Sequence, residues 1–209
     1  MGAATIGLQV GSEKFSRWIK RFGFGRPTGV EFPGEELGIV PELDEYSGST
    51  MGNLPIGQGL AVTPLQMATG YAAIANGGIL RAPRLVVREG DDPVDPPTGQ
   101  RVISSRTSAR LREMLEGVLA PGGTAAEVEV PGYTLAGKTG TAEKAEDGGY
   151  SKSDFVASFA GFAPASDPQL LVTVVVDEPQ GSYYGADVAA PAFGKIVEFA
   201  LPHLGIPPQ

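Results

Sequence analysis

Two apolar runs, FVASFAGFA (155–163) and QLLVTVVVD (169–177), have only PASDPQ between their cores. Each is apolar at successive positions and rich in Val or Phe, as a strand covered on both faces must be. Parallel neighbours need a crossover of about a dozen residues or more. This connection is far too short for one. The two strands are therefore predicted to be antiparallel neighbours joined by a hairpin, and folds built on a parallel sheet become hard to reach.

Upstream, the apolar period is helical. Phe15, Trp18, Ile19 and Phe22 follow Ser12, a candidate N-cap, and Gly23 and Gly25 supply the stop. Residues 26–59, including PTGVEFPGEELG and LPIGQG, read as extended, irregular chain. Thr63, Pro64 and Gln66 then form a capping box, opening a helix lined by Leu65, Ala68, Tyr71, Ala72 and Ala75 and closed by Asn76-Gly77-Gly78. EGDDPVDPP (89–97) reads as a solvated loop. A third helix is predicted from Ser104 or Ser105, with Leu111, Met114, Leu115, Val118 and Leu119 on one stripe, ending at Pro121-Gly122-Gly123. A last helix follows Pro191, burying Phe193, Ile196, Val197, Ala200 and Leu201.

Composition narrows the chemistry. The chain has 209 residues, 42% of them apolar, enough for one large domain or two small ones. It has no Cys and one histidine, His203, which follows Pro202 and is expected in solvent. Thiolate catalysis, disulfides, Cys/His zinc sites and a Ser-His dyad are nearly excluded together. No metal and no cofactor is expected, and any nucleophile here would need a lysine or carboxylate as its base. The net charge of −8 without a basic patch leaves no footprint for nucleic acid. No apolar run reaches the length of a membrane span, and the N-terminus lacks a signal peptide's basic start, so any targeting information is expected outside this chain.

One stretch offers two chemistries. GYTLAGKT (132–139) fits the phosphate-cradling pattern G-x-x-x-x-G-K-[ST], and LLVTVVVDE resembles a strand ending in a magnesium-holding Asp-Glu. A phosphate loop must open a helix, however, and Gly140 and Gly148-Gly149 leave room for barely two turns after Lys138. Antiparallel strands downstream disfavour it again, so Asp177-Glu178 reads better as a polar strand end. The alternative is Lys138-Thr139-Gly140-Thr141 on a strand. There an ammonium, two hydroxyls and exposed edge amides suit a carboxylate and an oxyanion, with Gly137 and Gly140 removing bulk where a ligand or backbone approaches. Strand alternation sets Lys138 opposite in sense to both threonines unless the edge twists. From these four residues alone, a glycine-marked bend with a solvated lysine is the preferred reading.

The whole chain adds what one motif cannot. FGFGRPTGVEFPGE, GQGLAVTPLQMATGYAAIANGG, LREMLEGV followed by GGTA, VPGYTLAGKTGTAEK, and DFVASFAGFAP followed by QLLVTVVVDEP resemble, in order and spacing, the C-terminal part of the transpeptidase domain of high-molecular-weight class B penicillin-binding proteins. The resemblance implies an α+β fold with a five-stranded antiparallel sheet between helical layers. It also implies a serine D,D-transpeptidase that cross-links peptidoglycan at the D-Ala-D-Ala end of a stem peptide and is acylated by β-lactams. Lys138 would join the nucleophile's hydrogen-bond network. Thr139 and Thr141 would bind the terminal carboxylate, the Thr141 N–H would be an oxyanion donor, and Gly140 would keep the edge open for a peptide lying along it as an added strand. Glu143 stands where many relatives have Gln, a change that would either retune carboxylate binding or, the preferred reading, be a simple surface variation.

The chain departs from that family in one large respect. No Ser is followed by Lys three residues on, and neither Asn53 nor Asn76 has Ser two residues before it, so Ser-x-x-Lys and Ser-x-Asn are both missing. In the family Ser-x-Asn directly precedes a small-residue helix like GAATIGLQVG, so residues 1–209 are expected to form the C-terminal portion of a single transpeptidase domain, inactive alone. The missing N-terminal part of the domain would be its partner, with self-association as the substitute. The parent would be an extracytoplasmic bacterial enzyme anchored through a segment outside this chain. Thr141-Ala142-Glu143-Lys144 imitates Thr-x-x-Lys by chance. Gln58 and Tyr183-Tyr184-Gly185 could border the groove, though packing and turn geometry account for them as well, and the loop 143–154 is expected to be mobile and to flank the site. A non-catalytic binding or scaffolding module on the same fold is the second reading, and a nucleotide hydrolase the third.

Overall fold

The computed structural model describes residues 2–146 and 148–209 and divides into two compact units, one running through Ala73 with Ile79–Val102, the other made of Ile74–Gly78 and Ile103–Gln209.

The first unit opens with α1 (Gly2–Val10) and α2 (Ser12–Arg21), which meet at Gly11. Gly11 takes φ 81°, a conformation that favours glycine, and its carbonyl accepts from the Phe15 N–H. Ser12 is consequently the first helical residue, and Gly11 takes the N-cap position without a side chain to cap it. Of the expected stripe only Ile19 is buried, whereas Trp18 is 44% exposed beneath the Arg21 guanidinium. α1 packs on Pro55 at Gly7, where a Cβ would stand 2.1 Å from the Pro55 Cγ.

Residues 26–59 are mostly irregular, as expected, but contain two 3-10 turns, Leu43–Glu45 and Leu54–Ile56, and the single-turn α3 (Thr50–Asn53). They are gathered by the capping residue of the next helix. α4 (Pro64–Ala75) starts with both bonds of its capping box, Gln66 N–H to Thr63 Oγ1 at 3.1 Å and Thr63 N–H to Gln66 Oε1 at 3.0 Å. The Gln66 Nε2 also donates to the Arg26 and Leu37 carbonyls at 2.9 and 3.0 Å, and the residue is 2% exposed. Gln66→Leu keeps the bulk and strands these partners, so it should cost about 3 kcal/mol, read as a lower denaturant midpoint at unchanged slope. β1 (Ile79–Leu80), β2 (Arg88–Glu89), β3 (Asp92–Pro93) and β4 (Gln100–Arg101) complete the unit as two antiparallel pairs, β1 with β4 and β2 with β3. The β2–β3 pair makes the acidic segment an exposed hairpin where a loop was expected.

The second unit begins with α5 (Ser105–Glu116), capped by the Ser104 Oγ, which accepts from the Thr107 N–H at 3.1 Å. The helix stops at Glu116, short of the expected Pro121. Val118 and Leu119 still pack on the core, but from a turn, and Met114 is 64% exposed. β5 (Ala136–Glu146), β6 (Gly149–Ala163) and β7 (Leu170–Asp177) follow in one antiparallel sheet of order β5-β6-β7, then α6 (Gly185–Val188) and α7 (Ala190–His203). The β6–β7 hairpin is the one predicted from the short PASDPQ connection.

Register divides the sheet into two faces. Phe159, Val172 and Val174 lie against Phe193, Val197 and Leu201 of α7, while Ala136, Phe162 and Leu171 lie against Leu115 of α5 and Ala75. An antiparallel sheet between helices is thus observed, with three strands among the described residues where the resemblance implies five. The segment expected as a loop at 143–154 is largely strand, with a register shift between Glu143 and Ala145; Asp147 within it lies outside the described residues.

Candidate active site

Lys138 lies on β5, so GYTLAGKT runs into an antiparallel strand and opens no helix. That arrangement lacks the helix N-terminus a phosphate loop requires. Alternation puts Lys138 on the α5 face and Thr139 and Thr141 on the α7 face. Yet the lysine and Thr139 converge, because Lys138 Nζ donates to the Thr139 carbonyl at 2.7 Å and to Thr139 Oγ1 at 3.1 Å. The long side chain wraps the edge, which restores the meeting that strand period denied. A carbonyl reached this way points out of the ladder, and in an antiparallel pair the N–H and C=O two residues on turn to the same side. The Thr141 N–H therefore points to the outer edge as well.

The Lys138 ammonium, although on an exposed residue, is held below the ordinary lysine pKa by desolvation. The sign follows directly: between that lowered value and the ordinary one of about 10.4, the unfolded chain binds more protons, so stability rises with pH in this alkaline window. Lys138→Met should flatten that rise, as measured by urea midpoints across the window.

The glycines of the motif answer to the sheet. A Cβ at Gly137 would stand 2.6 Å from ring carbons of Phe159, and one at Gly140 would stand 2.4 Å from Ser158 Oγ. A methyl at Gly140 would thus oblige its cross-strand partner Ser158 to turn its hydroxyl away, a constraint internal to the ladder and additional to any ligand.

The two threonines are each held from outside the strand. Thr139 Oγ1 lies 3.3 Å from Thr124 Oγ1, and Thr141 Oγ1 accepts from the Gly185 N–H at 3.0 Å. Two residues before Gly185, Tyr183 stacks on Phe155 at 4.2 Å. Neither Thr124 nor Gly185 stood out as a polar neighbour in the sequence; the GGTA phrase and the Tyr-Tyr-Gly triplet were the only marks near them. Glu143 is exposed on β5, at the next position of the threonine face. Lys144 lies on the other face and bonds Glu178 and Asp177 at 2.6 and 3.1 Å, which raise its pKa in that order. Its separation from Thr141 leaves Thr-x-x-Lys without a shared site, and Asp177-Glu178 is the polar strand end expected. His203 is exposed and stacks on Phe199 at 5.8 Å. Among the described residues no cluster of His, Cys, Asp or Glu is suited to a metal.

Comparison with known proteins decides the family. The model of the penicillin-binding protein transpeptidase domain matches residues 1–198. The chain belongs to this family. The transpeptidase-domain chain is 41% identical to stage V sporulation protein D of Bacillus subtilis, across all of itself and 33% of that protein. It is 37% identical to the peptidoglycan D,D-transpeptidase FtsI of Escherichia coli K12, across all of itself and 35% of FtsI. It therefore spans about a third of the length of these relatives. Among solved structures, the transpeptidase domain of Burkholderia pseudomallei penicillin-binding protein 3 superposes with TM-score 0.89 at 36% identity, covering all of this chain and 62% of that one. A Mycobacterium tuberculosis penicillin-binding protein 3 complexed with ampicillin gives TM-score 0.87 at 36% identity, covering 99% of this chain and 49% of that one. No helix among the described residues of the transpeptidase-domain chain is long and apolar enough to cross a membrane.

Proposed function

We propose that the chain is the C-terminal portion of one serine-type D,D-transpeptidase domain, the wall that receives the D-Ala-D-Ala end of a peptidoglycan stem peptide. The observation that carries this is the convergence of the Lys138 ammonium and the Thr139 hydroxyl at the outer edge of β5, with Thr141 two residues on. A peptide added along that edge pairs with the outward groups of Thr139 and Thr141. Its terminal carboxylate takes the two hydroxyl protons in the field of Lys138, and the Thr141 N–H supports the oxyanion that forms on the scissile carbonyl. Glu143 sets a negative charge beside that carboxylate and weakens its binding slightly.

The nucleophilic serine and its lysine come from polypeptide outside these residues, because Ser-x-x-Lys and Ser-x-Asn are both absent from them. β-Lactams would acylate that serine while this wall holds their carboxylate; the ampicillin complex of the similar M. tuberculosis protein supports this. The parent works outside the cytoplasmic membrane, anchored through another segment. Exposed Ile6 and Leu8 on α1, 62% and 64% exposed, favour self-association when the chain is alone.

Fluorescent penicillin followed by denaturing electrophoresis tests the assignment. The full-length protein should be labelled covalently and the 209-residue chain should not. Labelling of the chain alone, or none of the full-length protein, overturns it.

A further inference from the structure

A threonine hydroxyl has one proton and two lone pairs. To bind a carboxylate it must donate that proton, so its other partners must all donate to it. At Thr141 this is settled by the backbone, because the Gly185 N–H can only donate. At Thr139 one partner is equally unambiguous, since the Lys138 ammonium has no lone pair to offer. The second partner, Thr124 Oγ1 at 3.3 Å, can be paired either way. If Thr139 donates to Thr124, its proton is used and it turns a lone pair to the anion. If Thr124 donates, both lone pairs of Thr139 are filled and its proton is left for the substrate.

The main chain holds Thr124 at this point. Gly123 N–H donates to the Ala120 carbonyl at 2.8 Å and Ala125 N–H to the Val118 carbonyl at 2.9 Å. A Cβ at Gly123 would stand 2.3 Å from the Val118 oxygen and 2.5 Å from the Gly117 oxygen, so the turn closes only around a glycine. Ala125, at 4% exposure, anchors the far side in the core beside Val128 and Phe193. The position of residue 124 is thereby fixed by packing it does not itself provide.

We infer that Thr124 is a positioning residue for the transpeptidase reaction: its hydroxyl donates to Thr139 Oγ1 and reserves the Thr139 proton for the substrate carboxylate. This rests on the carboxylate role proposed for Thr139. In the full-length protein, second-order acylation rates would be measured for a penicillin as the free acid and as its methyl ester, which lacks the anion. Thr124→Val should slow the free acid about fivefold, the worth of one neutral hydrogen bond, and leave the ester unchanged. Thr124→Ser should restore the rate, and Thr124→Val should add nothing in a Thr139→Val background. Equal slowing of acid and ester, full additivity with Thr139→Val, or no effect of Thr124→Val while Thr139→Val is impaired would each overturn the inference and leave the carboxylate assignment standing. A Thr139→Val protein as fast as the parent overturns that assignment itself.

Discussion

Replacing Lys138 by methionine in the full-length protein should slow acylation by a β-lactam by about a hundredfold to a thousandfold, the usual loss when one preorganised electrostatic partner of a developing charge is removed. Methionine keeps the length of the stem and deletes the ammonium, so the change isolates charge and donation. In the resting site that ammonium spends its hydrogen bonds on the Thr139 carbonyl and hydroxyl, both groups of its own strand. The bond to the carbonyl is released to an incoming peptide without unfolding anything, while the bond to the hydroxyl is kept. The fold should tolerate the loss, because desolvation already disfavours the charged form of Lys138. Arginine should rescue poorly, since a planar fork cannot reproduce a compact charge that curls round a strand edge. Acylation kinetics beside a thermal melt check both halves: a rate within a few-fold of the parent removes Lys138 from the mechanism, and a collapsed melting temperature makes it a structural residue.

The parts of this fold that were legible are those whose cause is local in sequence. The capping box of α4 lies within Thr63–Gln66, and both its bonds are present because no distant partner has to arrive first. The β6–β7 hairpin followed from a connection too short for anything else. Local readings failed where a neighbour intervened. Ser12 had a cap's chemistry, but a second helix ends one residue before Gly11 and left the boundary to that glycine. Val118 and Leu119 continued the apolar stripe of α5 because they serve the core from a turn, and apolar spacing does not reveal the backbone that carries it.

The site divides the same way. Lys138, Thr139 and Thr141 are candidates named from their order, and the strand beneath them was legible from its neighbours. Their convergence could not be read, since it depends on a lysine rounding an edge. Thr124, 15 residues before Thr139, and Gly185, 44 residues after Thr141, enter only once the chain is folded. The motif glycines read as room for a ligand or a backbone, and on the sheet it is Phe159, the Ala160 carbonyl and Ser158 that come close to them.

Gly185→Ala is expected to be among the most damaging single methyl groups this unit can receive. A Cβ there would stand 2.3 Å from the Gly140 carbonyl oxygen and 2.5 Å from that of Ser158. Both oxygens belong to β5 and β6, where Gly140 and Ser158 are register partners, so neither strand can retreat without opening the ladder beside Lys138 and Thr141. α6 must move instead, taking with it the N–H that holds Thr141 Oγ1. Overpacking against main chain and the loss of that bond together cost about 3 kcal/mol, or a melting point lower by about 10 °C for a chain of this size. Gly149→Ala is the matched control, because nothing lies within 4 Å of a Cβ at that strand position. It should leave the melt nearly unmoved, so a Gly185→Ala protein that melts with it would mean that α6 slides off the sheet freely, and Thr141 would then keep its proton direction by some other contact.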